Sequence, residues 1–167
     1  GSLFGSPVYK ELLMGKTLVC GIGNPCLKDD RAGIEVAERM ETRCPDIDVE
    51  IIYGVGFEVN DKIMGYETVY IIDAAKMGHP PGTILEVGVD DIFSDHQLAS
   101  SHAVTLGSTL KVGYDLFTEE MPDKLTIFLI EAEDYFEFTK TCSPPVEAAI
   151  GKLVEELTSR CNGQKVH

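Results

Sequence analysis

Tryptophan is absent from the 167 residues and basic side chains are scarce: 14 Lys plus Arg stand against 28 Asp plus Glu, a formal net charge of −14. So acidic a surface repels phosphate backbones and anionic headgroups, which excludes general nucleic-acid binding and docking on an acidic membrane. A basic partner, by contrast, is attracted. No apolar run approaches the length of a membrane-spanning helix. The opening Gly1-Ser2-Leu3-Phe4-Gly5-Ser6 lacks a charged region followed by an apolar one, so it does not read as a signal peptide. Residues 1–13 read instead as a tag or disordered leader, Met14 as the natural start, and 14–163 as one domain. Cysteine is present in an odd number, 5, with no C-x-x-C pair. That pattern fits reduced thiols in the cytoplasm rather than a disulfide framework. Cys20 and Cys161 read as small buried apolar residues.

Several motifs are missing as well. Gly21 and Gly23 give G-x-G after a strand, but Cys26 stands where a dinucleotide fingerprint needs its third glycine, and Pro25 precedes it. There is no G-K-[ST] for a P-loop, no G-x-S-x-G elbow, no H-E-x-x-H and no spaced Cys–His pair. Nucleotide binding and the standard protease classes are therefore unsupported.

What remains is ample for a core, since 44% of the chain is hydrophobic. Thr17 to Ile22, Val49 to Tyr53, Thr68 to Asp73, Thr83 to Val87 and Lys124 to Ile130 read as strands. Between them, Asp30 to Arg43 carries Ile34, Ala37 and Met40 three apart and reads as an amphipathic helix ended by Pro45. Phe57 to Met64, Leu106 to Leu116 and Val146 to Cys161 read as further helices, the last entered through Pro144 and Pro145. The stretch from Asp90 to Ser101 reads as loop with a helical turn. Alternating strands and helices, with strands apolar on both faces, predict an α/β three-layer sandwich. Its twisted, mostly parallel sheet has about five strands between helices.

Ligands of open parallel sheets bind outside the carboxyl ends of the strands. There the sequence places Asp29-Asp30 after strand one, Asp73 at the end of strand three, and Ser100-Ser101-His102 before the Leu106 helix. Two carboxylates and an imidazole suit a borderline divalent ion such as zinc or nickel, with positions left open for substrate or water. Each residue also has an ordinary use. Asp29 and Asp30 complement a helix macrodipole, Asp73 caps a turn, and His102 sits in a loop.

The order of motifs decides between these uses. Gly21-Ile22-Gly23-Asn24 with Asp29-Asp30-x-x-Gly33-Ile34-x-Val36-Ala37 resembles the opening of the hydrogenase maturation proteases, which trim the large subunit of nickel–iron hydrogenases. The resemblance runs on through Ile72-Asp73-Ala74, Pro81-Gly82-Thr83-Ile84, Ser101-His102-x-x-x-Leu106 and Ser143-Pro144-x-Val146-Glu147-Ala148-Ala149, from Met14 nearly to the end. It implies a nickel-dependent endopeptidase that removes a C-terminal extension from the nickel-loaded large-subunit precursor. The nickel-contacting residues it implies are Asp30, Asp73 and His102, with Asp30 favoured over Asp29 by the count from Gly23. The nickel would be presented by the precursor, whose basic tail suits an acidic enzyme. A non-cleaving chaperone that senses nickel in the precursor is the alternative. No nucleic acid or membrane is implied, and a monomer is expected.

One stretch departs from the family pattern. Tyr53-Gly54-Val55-Gly56-Phe57-Glu58 lacks the aspartate and threonine of the family's Asp-Gly-Gly-Thr-like loop, which bears on the choice of partner. His79 and His96 read as solvated loop residues and then as auxiliary ligands. Tyr53, Phe57 and Phe93 read as packing, and Cys26 as an unsupported soft ligand.

Overall fold

The computed structural model describes residues 15–94, 98 and 100–164. Strands β1 (Thr17–Ile22), β2 (Asp48–Ile52), β3 (Thr68–Ala75), β4 (Ile84–Val87) and β5 (Lys124–Glu131) form one sheet in the order β2-β1-β3-β5-β4. All neighbours are parallel except β4, which runs antiparallel to β5 along one edge. Every residue of β1 and β3 is buried, which is why both read as unbroken apolar runs.

A 3₁₀ turn (Asp29–Arg31) leads into helix α1 (Ala32–Arg43); α2 (Glu58–Ile63), α3 (Asp91–Ser94), α4 (Ser101–Leu116) and α5 (Pro144–Gln164) follow. On one face, Val36, Ala37 and Met40 of α1 pack with Ile150, Leu153 and Leu157 of α5 over Val19, Tyr70, Ile72 and Phe128. On the other, Val59 and Ile63 of α2 pack with Leu106 and Leu110 of α4 over Leu18, Cys20, Ile71 and Leu129. The predicted three layers are thus present. No helix among the described residues is long and apolar enough to cross a membrane.

The chain turns one way from β1 to β2 and the other way from β2 to β3, with α1 and α2 on opposite faces. The sheet therefore has its topological switch point between β1 and β3, where the ligand crevice of open α/β sheets lies, at the carboxyl ends of the strands.

Glycine brings the walls of that crevice together. A β-carbon on Gly33 would run into the carbonyl oxygens of Ile22 and Ile72, and one on Gly21 into the carbonyl oxygen of Gly33. The first turn of α1 therefore lies directly on the main chain of β1 and β3. A β-carbon on Gly23 would strike the Asp30 carbonyl. The G-x-G pattern thus serves close packing, and its N–H groups are spoken for. Gly23 N–H donates to the Ile52 carbonyl, Asn24 N–H to Asp30 Oδ2, and Cys26 N–H to Asn24 Oδ1. Nothing is left for a pyrophosphate.

Three boundaries differ from the sequence reading. Strand β3 continues two residues past Asp73, because Asp73, Ala74 and Ala75 keep pairing with Leu129, Ile130 and Glu131. Helix α4 starts five residues early, at Ser101, because Ser100 caps it: its Oγ accepts from Ala103 N–H at 3.0 Å. The closing helix takes in Pro144 and Pro145, whose missing N–H groups cost nothing in a first turn. The expected leader, 1–13, and His96 lie outside the described residues.

Candidate active site

Asp73 occupies a core position. Alternation along β3 puts it on the same face as Ile71 and Ala75, against α4, and it is completely buried. Neither of its carboxylate oxygens has a hydrogen-bond partner of normal geometry. A polar neighbour comes from the first turn of α4: His102 Nδ1 lies 3.0 Å from Asp73 Oδ2 and 3.2 Å from the Ala74 carbonyl oxygen. The contact with the carboxylate is one of charge, while the carbonyl oxygen is the hydrogen-bond acceptor when Nδ1 carries the proton. Nε2 is then the nitrogen able to meet a ligand.

Burial pushes the Asp73 carboxyl up to about 6 against the opposing pull of His102. The Asp73 carboxylate beside it raises the His102 imidazole to about 9, although partial burial opposes this. Asp30, on the 3₁₀ turn, is raised mainly by partial burial, with His102 acting the other way. Its Oδ2 accepts from Asn24 N–H at 3.1 Å. The three residues read from the sequence thus form one electrostatic group at the switch point, with His102 on a helix rather than in a loop. Among the described residues, no three His, Cys, Asp or Glu side chains form a ready-made metal cage.

Asp29, next in the chain, has the opposite character. It is also fully buried, but its Oδ1 accepts from Ser143 N–H (2.8 Å). Its Oδ2 accepts from Glu133 N–H (2.8 Å), Asp134 N–H (3.0 Å) and Ser143 Oγ (2.8 Å). The macrodipole role expected of Asp29 is displaced by this stapling of distant loops. Buried Glu131 does the same for the loop after β3, accepting from Met77 N–H at 3.0 Å and His79 N–H at 3.2 Å.

The other candidates separate cleanly. His79 belongs to the loop that Glu131 holds. Phe57 does pack, edge-on to Phe117, and Phe93 lies under Lys111 Nζ, but Tyr53 is 70% exposed and packs on nothing comparable. Cys26 is exposed and free, whereas Cys20 and Cys161 are buried as expected. Tyr135 escaped the sequence reading. Its hydroxyl is buried with no hydrogen-bond partner, and its pKa is raised by burial and then by Asp73 and Asp30. No sequence signal separates it from the other tyrosines.

An acid–imidazole group thus stands at the switch point of an α/β sheet, in a chain without the sequence motifs of the standard protease classes. The family model described as hydrogenase maturation protease matches residues 34–160, which include Asp73 and His102 and begin just after Asp30. The hydrogenase 2 maturation protease of Escherichia coli (strain K12) is 30% identical over 154 residues, covering 85% of this chain and 88% of that protein. The structure of hydrogenase maturating endopeptidase HybD from E. coli matches with a TM-score of 0.70 at 29% identity, over 89% of this chain and 93% of that one. A nickel–iron hydrogenase maturation protease HybD from Thermococcus kodakarensis shares the fold, with a TM-score of 0.67 at 23% identity over 86% and 97% of the two chains. The chain belongs to the hydrogenase maturation protease family and is a peptide hydrolase.

Proposed function

We propose that this protein removes a C-terminal extension from the large-subunit precursor of a nickel–iron hydrogenase once nickel has been inserted, acting in the cytoplasm as a monomer. The observation that carries this reading is Asp73: a fully buried carboxylate with no hydrogen bond of normal geometry to either oxygen, paired with the His102 imidazole and near Asp30. A buried, unsatisfied carboxylate is costly unless a ligand completes it. Oxygen and imidazole donors suit nickel, and because no three His, Cys, Asp or Glu side chains among the described residues form a ready-made metal site, the ion would have to arrive with precursor ligands of its own.

On this reading Asp30, Asp73 and His102 hold the precursor's terminus by its metal, so that the scissile peptide is fixed by proximity. Nickel would supply Lewis acidity to the neighbouring peptide carbonyl. To ligate, His102 must release the proton that Asp73 helps it keep, so engagement of the precursor weakens as pH falls. Membership of a protease family supports cleavage over the non-cleaving chaperone. The exposed Tyr53 loop, where this chain departs from the family pattern, would contribute to partner choice.

The test is mass spectrometry of a nickel-loaded cognate precursor incubated with the protein, beside a nickel-free control. Loss of a C-terminal fragment in the loaded sample alone is expected. His102→Ala should abolish that loss while the protein stays folded; unaltered processing by the variant would end the assignment.

A further inference from the structure

The chain leaving β5 crosses beside the loop that carries Asp30, and the crossing is stitched through the main chain. Asp29 N–H donates to the Asp134 carbonyl, Lys28 N–H to the Glu137 carbonyl and Thr139 N–H to the Cys26 carbonyl, at 2.9, 2.9 and 3.1 Å. Leu27 and Phe138 pair as an isolated antiparallel bridge. Asp134 Oδ1 accepts from Phe136 N–H at 2.7 Å and Glu137 N–H at 3.2 Å, and Lys28 Nζ meets Glu137 Oε2 at 3.2 Å. A backbone held at so many points fixes the directions in which its side chains leave it. Even so, Phe136 and Phe138 stand 79% and 83% exposed.

Two large exposed aromatic side chains on an anchored backbone suit a protein-binding surface. Aromatic anchors carry much of interface affinity, and here the backbone that bears them is already ordered. The ridge adjoins the candidate site, because the Asp29 N–H bond to the Asp134 carbonyl ties this segment to the residue next to Asp30, and the Tyr135 ring stands edge-on to Phe136. Around Phe136, the carboxylates of Glu133, Asp134 and Glu137 outnumber the ammonium groups of Lys28 and Lys76, within a chain of net charge −14. We infer that the Phe136–Phe138 ridge seats the segment of the precursor next to the scissile bond, a segment of apolar side chains flanked by Lys or Arg. This rests on the proposed function and adds a second, metal-independent point of substrate recognition.

The test is steady-state processing of the nickel-loaded precursor by the full chain, with binding of the same precursor measured alongside. Phe136→Ser/Phe138→Ser is expected to raise KM and Kd about tenfold or more with kcat and melting temperature unchanged. Phe136→Leu/Phe138→Leu should restore most of the loss. Glu133→Lys should weaken binding less, and flatten its dependence on salt. Unchanged KM and Kd in the serine variant would overturn the inference while leaving the proposed function standing. So would a fall in kcat alone, or loss of a self-associated species in sedimentation with KM unaltered, which would make the occupant a second copy of this chain. A wild-type protein that neither binds nor cleaves the precursor would overturn both readings.

Discussion

Asp29 and Asp73 are the same residue in the same degree of burial, yet they live in opposite surroundings. Both are inaccessible to solvent. Asp29 accepts four hydrogen bonds from Glu133, Asp134 and Ser143, so its charge is offset by donors it has gathered from the far end of the chain. Asp73 accepts none of normal geometry and is paired with a half-buried imidazole. Burial alone therefore does not mark a functional carboxylate; unmet acceptor capacity does. The first residue closes the structure on itself, whereas the second leaves a valence for something from outside.

One isosteric change, made at each position in turn, sharpens the contrast. Asp73→Asn should lower processing by at least about a hundredfold. Its stability should fall far less than that of Asp29→Asn, because the change removes a buried charge as well as its pairing with His102. Chemical denaturation beside the precursor assay reads both numbers; a strongly destabilised Asp73→Asn would erase the distinction. Asp29→Asn should do the reverse. It turns an amide N–H₂ toward donors, leaves buried N–H groups unmet, and should cost about 3 kcal/mol. Once folded, the variant should retain most of its activity.

The smallest effect is in the pH dependence of the free protein. His102 holds its proton to about pH 9 when folded and to 6.5 when unfolded. Between those values the native state binds the additional proton, so stability must fall as pH rises. The contribution of His102 is complete below pH 6.5 and lost above about 9. Melting temperature followed across that window should decline in the wild type and flatten in His102→Ala. An equal slope in both proteins would show that Asp73 and His102 are uncoupled.

Residues whose partners are local could be read from the sequence. Strands β1 and β3 announced themselves as apolar runs, and α1 by its spacing. Asp73 is legible because an apolar run reads as ending on a carboxylate, and His102 because the loop before the Leu106 helix reads as lying at the same end of the sheet. What escaped was non-local. The donors to Asp29 lie 104 to 114 residues away, so nothing near it in the chain distinguished it from an ordinary acidic first turn. The early start of α4 was masked by the polar Ser100-Ser101-His102, although Ser100 is a good capping residue. Tyr53 reads as packing because an aromatic side chain carries no mark of its exposure, and a loop at a sheet edge leaves it in water.

The glycine contact beneath the site sets a gauge. With Gly33 seated on the carbonyls of Ile22 and Ile72, the first turn of α1 stands off from β1 and β3 by the thickness of main chain alone. The turn bearing Asp30 runs directly into that helix, and Asp73 follows Ile72 directly. The span between the two carboxylates is therefore machined into the backbone rather than shimmed by side chains. Exchanges of Leu, Ile or Val in either apolar layer can alter stability while this tolerance holds, whereas a single methyl group at position 33 would open the jaw.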